Sequence, residues 1–314
     1  MVAGPTVWLC PGQGAQRVGM GRDLAERFPE ARDTFAAIDA ALGTPLSRII
    51  FDGPEDELTL TQNAQPAILA HSAAVFAVVG ARVDDAVAAA GHSLGEYSAY
   101  ITTGALTATE AAKLVRRRGE LMYQAGNERR GSMVAVLGLP AAQVEEACTA
   151  ASSQDDVVVP ANLNAPDQTV ISGDPDAVHK AGELCKAKGA KRVMALKVSG
   201  AFHSPLMAPA QHALRVALEK AAFTEPAFPV IANATGEAVK SADRARRTLG
   251  DQLTAPVRWV ECMQHAARLA GEGARFIEIG PGQVLAGLLR RIVPGASVVS
   301  LGTADEVAQF LEAE

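Results

Sequence analysis

Two hydrophobic periods alternate along the chain. Predominantly apolar runs at TVWLC (6–10), Ala86–Ala90, FPVIAN (228–233) and RFIEI (275–279) predict short strands covered on both faces. Between them, apolar residues recur at helical spacing. VGMGRDLAERFPEARDTFAAIDAAL predicts helix interrupted at Phe28-Pro29, and residues 44–60 predict loop and short helix punctuated by Asp52-Gly53-Pro54. TQNAQPAILAHSAAVFAVVGARV carries so few charges that it predicts a helix buried against the sheet. Thr107–Gln124 predicts a helix opened by a Thr-x-x-Glu capping box at 107–110, burying Ala111, Leu114, Val115 and Met122. GAFHSPLM (200–207) opens a helix to about Ala222, and DQLTAPVRWVECMQHAARLA leads into another. Strands alternating with helices imply an α/β fold with a mostly parallel sheet.

The pattern changes after Gly126–Gly131. Strand at 132–139, helix at 140–153, strands at 156–163 and 168–173, helix at 174–189 and strand at 190–199 follow one another. This β-α-β-β-α-β order is the ferredoxin-like unit. It predicts an inserted subdomain over residues 129–199, between catalytic segments 1–128 and 200–314.

Within the main pattern one stretch carries chemistry. The run ending at Ala90 meets Gly91-His92-Ser93-Leu94-Gly95 and then a helical pattern. Strand, G-x-S-x-G turn and helix form a nucleophile elbow, which raises a serine Oγ clear of the backbone at a helix N-terminus. The competing reading is a glycine-flanked serine that caps a helix. A second glycine-rich turn, PGQGAQ (11–16), follows the first strand. It lacks the GK[ST] of a phosphate loop and the dinucleotide glycine spacing, and its backbone N–H groups suit an oxyanion equally well.

A serine nucleophile needs a base. His92 adjoins Ser93, but neighbours at an elbow diverge, so His92 reads as structural. His71 and His265 lie inside helical patterns, His179 in the insert and His212 mid-helix, whereas His203 sits in a short turn at a helix start and is the best candidate.

Composition narrows the field. The 314 residues carry a formal charge of −6 and 48% hydrophobic residues, a globular balance without the basic excess that nucleic acid demands. No signal peptide and no run approaching a membrane span is expected. Cys10, Cys148, Cys185 and Cys262 have no metal-ligand spacing and point to reduced thiols in the cytoplasm. No metal site is expected.

PGQGAQ (11–16), TQNAQPA (61–67), GHSLGEYSA (91–99), RRRG (116–119), NLNAPDQTVISG (162–173), GAFHSPLM (200–207), APVRW (255–259) and EIGPGQVLAGL (278–288) occur in order at fitting intervals. Together they resemble the malonyl-CoA:acyl-carrier-protein transacylases and the related acyltransferase domains of polyketide synthases, over nearly the whole chain. The resemblance implies an α/β-hydrolase-like core with the ferredoxin-like insert. It implies that Ser93 carries the acyl group as an ester and that His203 is its base. The backbone amides of Gln13 and Leu94 would form the oxyanion hole, and Arg118, which precedes Gly119, would bind the malonyl carboxylate. The backbone carbonyl of Gln252 would hold the imidazole, and Asn162 would be a polar contact near the site. Phe202 matches the malonyl-selective form of the histidine motif. Malonyl-CoA and a holo acyl carrier protein are the implied partners of a monomer that needs no cofactor, nucleic acid or membrane.

Without a fused synthase, fatty-acid synthesis is the expected pathway, with a trans-acting polyketide acyltransferase second. A serine esterase or thioesterase shares the elbow but has no HGGG-type loop here and no evident acid between Ser93 and His203. A scaffold that lost the chemistry, and a nucleotide-binding protein built on PGQG, are weaker alternatives. Lys186, Lys188, Lys191, Arg192, Arg290 and Arg291 could form a positive rim for an acidic carrier protein.

Overall fold

The computed structural model describes residues 4–313. Its strands are β1 (Thr6–Cys10) and β2 (Ala86–Gly91), then β3 (Ser132–Leu137), β4 (Val158–Ala165), β5 (Gln168–Gly173) and β6 (Arg192–Ala195). β7 (Val230–Ile231), β8 (Ala238–Val239), β9 (Arg275–Ile279) and β10 (Ser297–Leu301) complete them. Six strands form one sheet in the order β10-β9-β1-β2-β7-β8, and four form another in the order β4-β5-β3-β6. The larger sheet is parallel except for the β7–β8 pair, and the smaller is antiparallel throughout.

β1 sits between β2 and β9 and is buried along its whole length. Its side chains alternate, sending Val7 and Leu9 into one apolar cluster and Trp8 and Cys10 into the other. Helices cover both faces. Trp8 meets Phe76 of the helix Thr61–Val79 edge-on at 5.4 Å. On the opposite face, Trp259 and Leu289, from the helices Trp259–Ala270 and Val284–Ile292, pack with Val7 and Leu9. This double coverage is why the strand pattern reads as continuous rather than alternating.

With its short extension to Arg82, the helix at Thr61 spans 22 residues and is long and apolar enough to cross a membrane. That corrects the expectation that no run approaches such a length. Its apolar positions are absorbed by the protein, with 72% of its most apolar window buried.

The smaller sheet packs the helices Ala141–Ala151 and Pro175–Ala187 on one face, around Val136, Val144, Ile171 and Val178. From its other face Met133, Ala135 and Val170 join the main core. The order from β3 to β6 is the expected β-α-β-β-α-β. The last strand is shorter than expected, because residues 196–199 leave the ladder. The stretch 228–233 forms only a two-residue strand that pairs with the unanticipated β8. β10 and the helix Ala304–Ala313 were also not anticipated. Thr107 caps its helix by accepting from the Glu110 amide at 3.2 Å, but the Glu110 carboxylate turns to Lys113, so the capping box is half made.

β1 and β2 run parallel in register, Leu9 beside Ala90 and Cys10 beside Gly91, so the PGQG turn and the serine turn emerge at the same edge. The two glycines at the elbow serve proximity rather than unusual dihedrals. A Cβ on Gly91 would fall on the Gly95 carbonyl, and one on Gly95 would fall on the Cys10 carbonyl. Backbone meets backbone there, so nothing flexible can yield. Gly91→Ala is therefore expected to lower unfolding free energy by about 3 kcal/mol or more, against the usual 1–3 kcal/mol of overpacking. Gly287→Ala, whose Cβ meets nothing within 4 Å, should leave stability unchanged or raise it by up to about 1 kcal/mol. Urea denaturation of the two variants checks both.

Candidate active site

Ser93 follows β2 with φ 52°, a left-handed conformation uncommon for a residue with a Cβ. Three polar contacts hold it there. Its amide donates to Asn233 Oδ1 at 2.7 Å, and its carbonyl accepts from the Glu96 amide at 3.1 Å and from Gln252 Nε2 at 3.0 Å. Asn233 in turn donates through Nδ2 to the Gly91 carbonyl at 2.8 Å, so one side chain clamps both ends of the bend.

His203 is the other non-glycine residue with positive φ among those described, at 56°. Ser204 braces its turn by donating to the Ala201 carbonyl at 2.7 Å. His203 Nδ1 lies 2.9 Å from the Gln252 carbonyl oxygen, which can only accept, so Nδ1 carries the proton. The lone pair on Nε2 then faces Ser93 Oγ at 2.8 Å. Burial, and secondarily the Arg118 charge, push the imidazole down to about 3, while the Gln252 carbonyl opposes them. The ring is neutral at working pH, as a proton acceptor must be.

Arg118 lies on the helix Ala108–Glu128 and is 1% exposed. Its Nη2 donates to Ser93 Oγ at 2.9 Å and to Gln252 Oε1 at 3.0 Å, and Nη1 donates to Gln65 Oε1 at 2.7 Å. The guanidinium lies 5.9 Å from the Tyr97 ring centroid, and its buried Nε has no hydrogen-bond partner among the described residues. Its neighbours diverge as a helix requires: Arg116 donates to Asn63 and Arg117 pairs with Glu120.

Ser93, His203, Arg118, Gln13, Leu94, Asn162 and Phe202 all line one half-open cleft of about 300 Å³. Among the described residues, neither the Gln13 nor the Leu94 amide meets a protein acceptor, which leaves both available as donors. Gln252 lies behind the cleft, fully buried. His92 also borders the cleft, but its Nε2 is engaged by Asn164 at 2.8 Å and its ring packs on Trp259. A wider surface groove shares Gln13, Thr59, Lys197 and Val198 with the cleft and extends it towards Tyr123 and Glu55. Among the described residues, no group of three or more His, Cys, Asp or Glu side chains is placed to hold a metal ion.

The sequence reading missed Asn233, Gln65 and Glu96. Gln65 and Glu96 lie within the motifs TQNAQPA and GHSLGEYSA, and a glutamate in an otherwise uncharged, glycine-led helix is itself a signal. Asn233 ends a strand too short to be singled out. Together the residues present a serine with a neutral base, two backbone donors and a buried cation beside one cavity. That set can form and break an acyl ester on a substrate that carries a negative charge.

Residues 7–309 match the family described as acyl transferase domain. The malonyl CoA-acyl carrier protein transacylase of Bacillus subtilis strain 168 is 43% identical over 289 residues, 91% of this chain and 89% of that protein. The enzyme of that name from Escherichia coli strain K12 is 41% identical over 307 residues, 97% of this chain and 98% of its own. Among solved structures, a type II polyketide-synthase acyl-carrier protein in complex with its malonyl-transacylase aligns with a TM-score of 0.93 at 40% identity. It covers 99% of this chain and 100% of that one.

The buried imidazole makes a stability prediction. The folded pKa of His203 lies below the ordinary histidine value, so between the two the unfolded chain binds more protons. Its contribution is present above pH 6.5 and is lost as pH falls towards 3. Wild type should lose stability more steeply than His203→Ala between pH 6.5 and 4, measured by urea unfolding at each pH. Equal slopes would show that the ring is not held neutral.

Proposed function

The chain belongs to the acyl transferase family, with malonyl CoA-acyl carrier protein transacylases among its relatives. On that premise we propose that it transfers a malonyl group from malonyl-CoA to the phosphopantetheine thiol of an acyl carrier protein, through an ester on Ser93. The observation that carries this reading is Ser93 Oγ held between His203 Nε2 and Arg118 Nη2. The Oγ proton passes to His203 as Oγ attacks the thioester carbonyl. The oxyanion is taken by the Gln13 and Leu94 amides. The C–S bond then breaks, and coenzyme A leaves with the proton from His203. In the second half the carrier's thiol gives its proton to His203 and attacks the ester, and Ser93 recovers its hydrogen.

Arg118 binds the malonyl carboxylate by exchanging one of its neutral partners for a charged one, a pairing roughly twice as strong per hydrogen bond. Asn162 contacts the bound group and Phe202 restricts space beside it, favouring malonyl over methylmalonyl by the 1–3 kcal/mol or so that one methyl allows. Gln252 holds the imidazole in place of a triad acid.

The strand order β4-β5-β3-β6 supports a ferredoxin-like subdomain over 129–199, and the parallel sheet with its serine turn supports an α/β-hydrolase-like core over 1–128 and 200–314. The enzyme works as a cytoplasmic monomer without a cofactor, and its four free, buried thiols suit a reducing compartment. Fatty-acid synthesis is the pathway it supplies. A polyketide carrier is a second recipient, favoured by the likeness to a malonyl-transacylase that binds one. Of the expected docking residues, Lys186, Lys188 and Arg291 are paired with Glu183, Glu146 and Asp167. Lys191, Arg192 and Arg290 have no ion-pair partner among the described residues, and they carry the carrier-protein contact.

Incubation with malonyl-, acetyl- and methylmalonyl-CoA, read by intact mass before and after a holo carrier protein, tests the reading. A malonyl adduct should form, move to the carrier and vanish in Ser93→Ala. Arg118→Ala should lower the preference for malonyl over acetyl about 100-fold, the ~2–5 kcal/mol range of a truncated buried ion pair. Arg117→Ala should change nothing. An adduct lost to water as fast without carrier as with it would replace the transferase by a hydrolase. Reversing the charges of Lys191 and Arg192 should slow the carrier half-reaction at low salt and leave Ser93 acylation intact.

A further inference from the structure

Glu96 is the one carboxylate built into the base of this site, and the transfer chemistry above does not use it. It lies on the helix Gly95–Thr102, fully buried, three residues after Ser93. Its Oε2 accepts from Gln252 Nε2 at 2.7 Å and from the Asn233 amide at 2.9 Å, while its buried Oε1 has no hydrogen-bond partner among the described residues. Both of those neighbours hold the catalytic residues. Gln252 offers its carbonyl to His203, its side-chain oxygen to Arg118 and its Nε2 to the Ser93 carbonyl, and Asn233 receives the Ser93 amide.

We propose that Glu96 is a positioning residue for Ser93: its carboxylate fixes the Gln252 and Asn233 groups that hold His203, Arg118 and the elbow, and supplies the negative charge that a triad acid would otherwise provide. The proposal rests on Ser93 being the nucleophile. The effect travels through space and through the orientation of Gln252, because Gln252's side-chain amide and its carbonyl are not conjugated. Deprotonating Ser93 makes an imidazolium on His203 beside Arg118, two positive charges in a dry site. A carboxylate near Arg118, bonded to the Gln252 that holds His203, lowers that cost.

The charge state of Glu96 is set by its surroundings. Burial pushes its carboxyl up to about 7, opposed by the hydrogen bonds from Asn233 and Gln252 and by the Arg118 charge. Tyr97 and Tyr100 on its own helix and Cys262 on the helix Trp259–Ala270 also face it, and burial pushes all three well up, so they stay neutral. Glu96 is therefore the group near Ser93 that changes charge between pH 6 and 8, whereas His203 titrates far below that window.

The test is the rate at which a fluorophosphonate labels Ser93 between pH 5.5 and 8.5, followed by intact mass. In that step the Oγ–P bond forms, fluoride leaves and the serine proton passes to His203, with no need of malonyl-CoA. Wild type should accelerate about ten-fold with a midpoint near 7. Glu96→Gln can still accept from both donors but carries no charge, so it should be slower by about that factor at pH 8 and show no step. Glu96→Asp restores the charge on a shorter arm and should recover the step at a reduced overall rate. A flat wild-type profile overturns the proposal without any variant, as does an unchanged step in folded Glu96→Gln. Labelling with the expected step but no malonyl adduct from malonyl-CoA would instead sink the transfer reading and leave the role of Glu96 intact.

Discussion

A guanidinium is sealed into the floor of the cleft with no carboxylate bonded to it. Arg118 spends its hydrogen bonds on Gln65, Gln252 and Ser93, all neutral, and stacks over Tyr97. Removing a cation from water is costly unless it is paired, and neutral partners compensate only in part. The residual demand for negative charge lies 2.9 Å from Ser93 Oγ. An acyl group with a free carboxylate meets that demand, whereas an unsubstituted acyl group leaves it standing. On the proposed role of Arg118, selectivity follows from an electrostatic deficit built into the fold more than from the size of the cavity.

Gln252 lets one residue coordinate the rest. It lies just past the helix Ala242–Asp251, and its backbone and side chain reach His203, Arg118, Ser93 and Glu96. Ser93 and His203 both hold left-handed backbones, each costing of order 1–3 kcal/mol, and such strain persists only where the surroundings over-determine it. Here those surroundings are the packed junction of β2, the serine turn and the PGQG loop for Ser93, and the Ser204–Ala201 bond with the Gln252 carbonyl for His203. The elbow glycines are indispensable because those backbones touch.

The sequence carried the parallel core, the β-α-β-β-α-β order and the grouping of Ser93, His203 and Arg118 at one cleft, the first two through local signals. Strands buried on both faces are runs and the elbow is a fixed spacing, whereas the choice among three adjacent arginines rested on the resemblance of Arg118-Gly119 to a family motif, and the structure buries Arg118. What escaped depends on distant pairing. β8 exists only because Ala238 and Val239 meet Val230 and Ile231, and β10 is an edge strand with exposed Val299, so its pattern is too weak to stand alone. Asn233 and Gln65 were missed for the same reason: an amide side chain is unremarkable in sequence and becomes a clamp only when the fold brings it to a bend. Residues 61–82 fit a membrane span by length and composition, yet the same scarcity of charge already pointed to a helix buried against the sheet, and the packing bears that out.

The two opposed pKa shifts under Ser93 make the site responsive to its ligand. Burial is the larger cause for each, lowering His203 and raising Glu96, and Arg118 adds to the first while opposing the second. In the proposed reaction, a carboxylate seated on Arg118 offsets the field at both. It removes part of the penalty on the imidazolium, so His203 becomes a stronger base when a malonyl-type group is present. It also withdraws the cation that helps keep Glu96 ionised, so the two effects counter each other and the hydrogen bonds from Gln252 and Asn233 carry more of the task of holding Glu96 charged. Proton transfer from Ser93 is thus easiest when the carboxylate is bound and the Gln252 network is intact. A pocket arranged this way favours acylation by an anionic acyl group over a futile first step with a neutral one.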